Sequence, residues 1–345
     1  MNYIGSKLKL SSFLQTSIES TLREAHAKPL KDSVFCDMFA GTSAVGRLFK
    51  TQVKQVISND REYYSFVLAQ NYIGTHQKLA RDKELLYILN DAAQTPPQKG
   101  KIYTYYALGS GSGRQYFSDE NAQKIDAVRS KIEQWKEENF INDKEYYYLL
   151  ASLLESADKV ANTASVYGAF LKYLKKSALR PLILDSTEDC SPVSSTRYCN
   201  KNEHLVFNDD ANALITRIKG DILYLDPPYN TREYGANYHL LNTIALYDDF
   251  IPKGKTGLRE YEKSNWCKKV KVADELERLI KNARFEWIFL SYNDEGLLSL
   301  EQIKVIFEKY GRYSSVKQKH QRFKSDSKRI QKQDSTLEYL HILRK

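Results

Sequence analysis

The sequence predicts an α/β fold, in which a sheet carries helices on both faces and a mainly helical segment interrupts the sheet-forming chain. Four short apolar runs have the length and composition of buried strands, at residues 33–37, 55–58, 221–225 and 287–292. A glycine turn joins the first run to the start of a helix, and the pattern changes to amphipathic helices between about 74 and 202. We therefore assign one domain to 1–75 and 201–345, and a helical insert to 76–200.

Composition narrows the class of protein. The 345 residues are enough for a full α/β core and a second, smaller lobe. Lys and Arg number 52 against 43 Asp and Glu, and the net charge of +9 favours a polyanionic partner. No apolar run is long enough to span a bilayer and no signal peptide is recognisable, so we expect a cytoplasmic protein without a membrane partner. The four cysteines lack Cys-x-x-Cys spacing, so no metal site is expected.

The first strand and its turn predict a ligand crevice. Gly41 lets the backbone approach a ligand closely, and Ser43 is predicted to cap the helix that runs through about Phe49. The dinucleotide fingerprint and the P-loop lysine are both absent, which favours a ligand without phosphates. Asp37, at the end of the strand, is predicted to accept hydrogen bonds from the cationic amino-acid part of such a ligand.

The second strand ends in Asn59 and Asp60, about 20 residues beyond the glycine turn. An acidic residue at this place holds the two ribose hydroxyls of a nucleotide in comparable sheets. We therefore predict that Asp60 binds the ribose of the ligand. Together, Asp37 and Asp60 favour a ligand that consists of a nucleoside and an amino acid.

The run Asp226, Pro227, Pro228 and Tyr229 follows the strand 221–225 and predicts a pocket for a flat molecule with an amino group. Adenine's exocyclic amine is a poor nucleophile because its lone pair is delocalised into the ring. Asp226 is predicted to accept one amino hydrogen and the carbonyl of Pro227 the other, while the proline pair fixes the backbone. Tyr229 supplies a stacking face. Taken alone, the motif is equally compatible with a strand that ends in a proline turn.

Several motifs together resemble the D12 class of adenine-specific DNA methyltransferases, the Dam-like group. They occur in the family's order at 3–7, 37–46, 60, 226–229, 290–296 and 338–344, and cover most of the chain outside about 76–200. The resemblance implies a Rossmann-like, S-adenosylmethionine-dependent methyltransferase sheet with an inserted target-recognition domain. It implies methylation of the N6 amine of adenine in double-stranded DNA.

The resemblance also implies further cofactor contacts. Tyr3 and Lys7 match residues that lie against S-adenosylmethionine in the family, with tyrosine here where Dam itself has tryptophan. Phe39, in the matched turn with Gly41, is assigned to the cofactor as well. An acidic residue shortly before the Asp-Pro-Pro-Tyr strand meets the cofactor's adenine in the family, and Asp210 is favoured for this contact over Asp209.

The insert is where the family places its target-recognition domain. Arg114 lies on a glycine-rich loop, and Lys172 and Lys175 belong to a basic edge, so we predict that all three contact DNA phosphates. A basic stretch at 317–332 is predicted to contact the DNA backbone through Arg322 and Lys324.

The segment after the Asp-Pro-Pro-Tyr run is predicted to close over a flipped base. Arg232 is expected to meet the flanking phosphate, and Tyr238 or His239 to fill the stack that the base leaves. His239 is interpreted as a packing or surface residue rather than a catalytic one.

Two alternatives stay open at this point. The same chemistry would serve RNA adenine or the amino group of cytosine, and a DNA-binding regulator could retain the fold without catalysis. No nuclease motif is recognisable, so a restriction endonuclease working with this chain, as in a restriction-modification system, would be a separate protein.

Overall fold

The computed structural model describes residues 6–76, 79–186, 203–321 and 335–345. The chain divides into two compact units. The sheet unit comprises Gly5–His76, Thr196–Glu233 and Lys263–Lys345, and the helical unit comprises Met1–Ile4, Gln77–Ser195 and Tyr234–Glu262.

The range Tyr234–Glu262 packs with the helical unit, whereas the boundaries inferred from sequence assigned it to the same domain as the sheet. The reason is a set of buried long-range contacts. Arg129 donates to the carbonyls of Ile244 and Ala245 at 3.0 and 3.2 Å, and Tyr106 donates to the carbonyl of Gly257 at 2.7 Å. Sequence periodicity does not report such pairings.

Within the described residues, the sheet has seven strands: β1 Val34–Asp37, β2 Gln55–Asn59, β3 Leu205–Phe207, β4 Ile222–Leu225, β5 Trp287–Asn293, β6 Arg312–Gln321 and β7 Ser335–Arg344. Their order is β3-β2-β1-β4-β5-β7-β6. Strands β1 to β5 pair in parallel, and β7 lies antiparallel between β5 and β6. The predicted α/β sheet is confirmed.

The α-helices of the described residues are α1 Ser11–Glu24, α2 Ala44–Lys50, α3 Tyr63–Ala69, α4 Asp82–Asn90, α5 Lys101–Tyr106, α6 Asp119–Glu137, α7 Asp143–Val160, α8 Ala211–Leu214, α9 Tyr234–Asn237, α10 His239–Leu246, α11 Val272–Asn282 and α12 Leu300–Glu308. A 3-10 helix, Lys7–Leu10, precedes α1. None of the described helices is long and apolar enough to cross a membrane.

The sheet is covered on both faces because its strands alternate between two apolar clusters. Ile222 and Tyr224 of β4 belong to the cluster that contains α1 and α2 side chains. Leu223 and Leu225 belong to the cluster built from α8, α11 and α12. The central strands are therefore buried on both sides, and functional groups are confined to their ends.

The topology opens a crevice between β1 and β4. These strands are neighbours, yet the chain runs from β1 outward to β2 and from β4 outward to β5. The loops after the two strands therefore diverge at their carboxyl ends, which is where α/β sheets bind ligands. Just beyond β1, the amide of Met38 donates to the carbonyl of Tyr224 at 3.1 Å and keeps the strand ends together.

The helical unit is held by buried polar side chains as well as by apolar packing. Asp126 of α6 accepts from the backbone amides of Gly100, Ile102 and Tyr103 at 2.8 to 2.9 Å, and from the hydroxyl of Tyr247 at 2.7 Å. One buried carboxylate thus satisfies the free amides at the start of α5.

The segment 171–184, called the strap below, contains neither helix nor strand. Its backbone is fixed by side-chain amides of the helical unit. Asn121 accepts from the amide of Leu182 at 2.8 Å and donates to the carbonyl of Arg180 at 2.9 Å. Asn90 and Asn162 bind the two ends of the strap in the same way. The backbone is ordered by these contacts, so its exposed side chains are presented from a fixed support.

Candidate active site

The Asp-Pro-Pro-Tyr run begins directly after β4. Asp226 is 17% exposed, and its Oδ1 lies 3.1 Å from Nζ of Lys7. The same Nζ lies 2.6 Å from Oε1 of Glu338 on β7, and the Ser291 hydroxyl donates to that oxygen at 2.7 Å. One buried ammonium near the start of the sequence therefore joins two carboxylates that lie more than two hundred residues further along the chain.

Burial and charge act against each other in this cluster. Burial raises the pKa of Asp226 to about 6; Lys7 lowers it and Glu338 adds to the increase. Burial alone would lower the pKa of Lys7, but the two carboxylates raise it well above its ordinary value. Lys7 is therefore an ammonium at neutral pH, and Asp226 is a carboxylate above about pH 6.

The rest of the run is fixed by the core behind it. Pro227 is buried, Pro228 and Tyr229 are half-buried, and Tyr229 packs against the α11 and α12 cluster. The carbonyl of Tyr229 accepts from the amide of Leu297 at 2.9 Å. Its ring centroid lies 5.9 Å from Nζ of Lys7, so the ring and the ion cluster are adjacent.

Asp37 and Asp60 end the neighbouring strands and support the glycine turn between them. Asp37 is buried and accepts from the amide of Gly46 at 2.9 Å, and burial raises its pKa to about 7. Asp60 accepts from the amides of Gly41 and Glu62 at 2.7 and 2.9 Å, and burial raises its pKa to about 6. Both carboxylates retain lone pairs for a further donor.

The turn itself adopts left-handed backbone at Gly41, with φ 52°, and at Ser43, with φ 60°. The capping prediction for Ser43 is wrong: it occupies the N-cap position of α2, but its side chain makes no cap hydrogen bond. Capping by a side chain requires extended backbone, which Ser43 lacks. Its hydroxyl is buried and has no partner among the described residues. Phe39 is half-buried and contacts the edge of Trp266, with centroids 5.0 Å apart.

The loop after β3 brings both acidic candidates beside Asp60. The side chain of Asn208 donates to the carbonyl of Asp60 at 2.8 Å. Asp210 is exposed and caps α8, accepting from the amides two and three residues further on at 2.9 and 3.1 Å. Asp209 is ion-paired with Arg217. Each already has a local structural role.

Three of the predicted DNA contacts lie inside the helical unit. The guanidinium of Arg114 donates to the carbonyls of Tyr105, Gly254 and Lys255 at 3.0 to 3.2 Å. Nζ of Lys175 donates to the carbonyl of Thr163 at 2.8 Å. Tyr238 is 0% exposed, with its ring stacked on that of Tyr234. Arg114 and Lys175 are half-buried and hold backbone carbonyls of their own unit, and their DNA contacts stay predictions. Tyr238 is buried, so we correct its assignment from a DNA contact to a packing residue.

His239 is buried, with Nε2 3.0 Å from the carbonyl of Tyr167, as its interpretation as a packing residue requires. Lys172 and Arg232 are exposed and remain candidates for phosphate contact. Tyr3, Arg322 and Lys324 lie outside the described residues. No cluster of three or more metal-ligating side chains is found in the described part of the chain.

Sequence reasoning missed Glu338. Its strand was recognised, but an acid on a closing strand reads as a solvent-facing residue. The sequence does carry a signal for Glu338. Glu338, Leu340 and Ile342 occupy every second position of β7 and therefore face the same side of the sheet, where Leu340 and Ile342 are buried. The acid therefore shares the buried face of the strand.

Comparison with known proteins identifies the class. The fold and the order of the motifs are those of an α/β methyltransferase, and the model of the D12 class N6 adenine-specific DNA methyltransferases matches residues 3–306. The chain belongs to this family, and it is an adenine-specific DNA methyltransferase.

Curated relatives agree with this membership. The chain is 58% identical to the type II methyltransferase M.NlaIII of Neisseria lactamica, covering 100% of the chain and 99% of the relative. It is 38% identical to M.FokI of Planomicrobium okeanokoites, over 100% of the chain and 53% of that relative. It is 37% identical to M.CviAII of Paramecium bursaria Chlorella virus 1, over 94% and 93%.

Replacing Lys7 with Met is expected to destabilise the sheet unit by about 3 to 5 kcal/mol at neutral pH, because two buried carboxylates lose their counter-ion. The loss should shrink as the pH falls through the pKa of Asp226, which rises above 6 once Lys7 no longer lowers it, since the folded state then binds a proton that the unfolded state does not. Urea unfolding at several pH values measures both effects. Lys9→Met, exposed on the same turn, is the control, with an expected change within about 0.5 kcal/mol. A destabilisation independent of pH would contradict the charge-based account.

Proposed function

We propose that this enzyme transfers the methyl group of S-adenosylmethionine to the N6 amine of adenine at specific sites in double-stranded DNA, as the modification enzyme of a restriction-modification system. The observation that carries the proposal is the mostly buried but still accessible carboxylate of Asp226 at the carboxyl end of β4, beside the crevice between β1 and β4. A carboxylate there can orient an amine against a ligand held at the neighbouring strand ends.

The cofactor fits the polar groups of the crevice. Asp37 has one oxygen on Gly46 and the other without a partner among the described residues, ready for the ammonium of an amino-acid moiety. Asp60 lies just after the second strand, where comparable sheets bind a ribose diol, and the buried hydroxyl of Ser43 has no partner in the part of the chain that the structure describes. We propose that Asp37, Asp60, Phe39 and Gly41 hold the cofactor, with Tyr3, Lys7 and either Asp210 or Asp209 beside them.

The role assigned to the Asp-Pro-Pro-Tyr run is to orient the lone pair of the N6 amine of adenine. Bound S-adenosylmethionine supplies a methyl group on a sulfonium. Asp226 accepts one N6 hydrogen and the carbonyl of Pro227 accepts the other, so that the lone pair leaves conjugation with the ring. The N6–carbon bond forms as the carbon–sulfur bond breaks, and the methylated amine then loses one proton to water or through Asp226. Pro228 fixes the backbone, and Tyr229 stacks on a base taken out of the helix.

The strap is proposed as a phosphate-binding surface of the helical unit. Lys172, Lys176 and Arg180 are exposed, and within the described residues none of them forms an ion pair with a carboxylate. Between them, Tyr173 is 74% exposed. Cations on an ordered backbone, with no carboxylate partner among the described residues, match the negative charge of a duplex at low entropic cost. Arg232, exposed after the Asp-Pro-Pro-Tyr run, is proposed to bind the phosphate beside the flipped base.

The direct test incubates the protein with varied duplex DNA and methyl-labelled S-adenosylmethionine, followed by digestion to nucleosides. Label in N6-methyl-2′-deoxyadenosine is expected. Label in deoxycytidine would mean that the acceptor is the amino group of cytosine, and absence of label would refute the proposal.

Division of roles is tested with two substitutions. Asp226→Ala should abolish methyl transfer while S-adenosylmethionine binding, measured by calorimetry, stays near that of the unsubstituted enzyme. Asp37→Ala should weaken cofactor binding by about 1 to 3 kcal/mol and lower transfer chiefly at low cofactor concentration. Equal loss of cofactor binding in both variants would contradict this division.

Removing the strap cations is expected to weaken DNA binding and to make the binding constant less dependent on salt concentration. In Lys172→Ala/Lys176→Ala/Arg180→Ala, the slope of log K against log salt should fall in magnitude by about 3, one for each lost phosphate contact. The control removes three exposed lysines elsewhere in the helical unit, Lys83, Lys99 and Lys144. If strap and control variants changed the slope alike, the strap would hold no special place in DNA binding.

A further inference from the structure

We propose that Glu338 is a positioning residue for methyl transfer: it takes the larger share of the Lys7 ammonium, so that Asp226 keeps lone pairs for the N6 amine. The inference rests on the proposed role of Asp226. It adds Glu338, which is distant in sequence from both Lys7 and Asp226 and does not touch the substrate.

The geometry favours Glu338 as the principal partner of Lys7. Nζ of Lys7 lies 2.6 Å from Glu338 Oε1 and 3.1 Å from Asp226 Oδ1. Glu338 and Lys7 are each 6% exposed or less, whereas the Asp226 side chain is 17% exposed. The shorter and more deeply buried contact is the stronger one. Asp226 thus sits at the accessible end of a three-group cluster.

Glu338 is itself fixed in place. It is paired with Asn293 across the antiparallel strands β5 and β7, and its Oε1 also accepts from the hydroxyl of Ser291 at 2.7 Å. A carboxylate on a central strand with two short donors has little rotamer freedom. Lys7 is therefore anchored from the sheet and directed toward Asp226 from a constant position.

Removing the charge of Glu338 would change what Asp226 can do. Lys7 would then have a single carboxylate partner, and the pair would tighten around Asp226. A carboxylate held by an ammonium is a weaker acceptor for a neutral amine, because its lone pairs are already engaged. It is also harder to protonate, since one negative neighbour is gone and the positive one remains.

Several other groups face Asp226, and each must be kept constant in a test. Asp37 approaches from β1, Tyr224 from β4, and Tyr229 from the Asp-Pro-Pro-Tyr run itself. Burial raises the pKa of both tyrosines, so they stay neutral over the working range. Burial raises the pKa of Asp37 to about 7, so the comparison must be between variants at saturating cofactor rather than a single profile.

The experiment measures single-turnover methyl transfer against pH for the full-length enzyme with saturating duplex and cofactor. In the unsubstituted enzyme the rate should fall as the pH drops through about 6, the pKa of Asp226. Glu338→Gln should lower the rate about tenfold or more and leave cofactor binding near normal. It should also move the acid limb of the pH–rate profile, where the rate falls as the pH drops, to lower pH by about one unit, which is a tenfold change in the proton affinity of Asp226. Glu338→Asp, which keeps the charge, should return the limb toward pH 6.

The control is Glu275→Gln, which removes a buried carboxylate of the sheet unit whose partners are Asn212, Asn265 and Arg278. The acid limb of its pH–rate profile should coincide with that of the unsubstituted enzyme. If Glu338→Gln lost activity through unfolding alone, its remaining folded fraction would keep the acid limb of the unsubstituted enzyme, and the inference would be overturned. An unchanged rate and limb in Glu338→Gln would overturn it too. If the unsubstituted enzyme methylated no adenine, the proposed function itself would fail first.

Discussion

The active site depends on one buried ammonium held between two carboxylates. Lys7 comes from the amino-terminal turn, Asp226 from the end of β4, and Glu338 from the closing strand β7. None of these groups would be stable alone at that depth, because an unpaired buried charge is among the most costly features of a folded protein. The cluster therefore ties distant parts of the chain together, and it sets the charge of the group proposed to orient the substrate amine.

The sheet order explains why these groups meet. Strands β1 and β4 lie side by side while the chain leaves them in opposite directions, so their carboxyl ends open a crevice. Along one edge of the sheet the spatial order is Asp60 after β2, Asp37 at the end of β1 and Asp226 after β4. The antiparallel β7, inserted beside β5, is what carries Glu338 to the same edge. The groups proposed to bind the cofactor and to orient the substrate thus lie at neighbouring strand ends of one sheet.

The sequence predicted those features of the fold and of the site that local residue patterns encode. The strands, the glycine turn and the end-of-strand acids were readable because burial, turn chemistry and chain order leave local marks. Pairings between distant residues leave none, which is why the ion pair of Lys7 with Asp226 and the role of Glu338 emerged only from the structure. The same limit explains Arg114 and Tyr238. Basic and aromatic residues on predicted loops were interpreted as ligand contacts, yet Arg114 donates to backbone carbonyls of its own unit and Tyr238 fills a core.

The central claim is that Asp226 titrates as a member of this cluster, and carbon-13 NMR of labelled aspartate measures that directly. The Asp226 carboxyl resonance, assigned by its absence in Asp226→Asn, should titrate near pH 6 in the folded enzyme and at lower pH in Glu338→Gln. Titration near the ordinary value for aspartate, about 3.9, in both proteins would contradict the account, because Asp226 would then be neither buried nor coupled to Glu338.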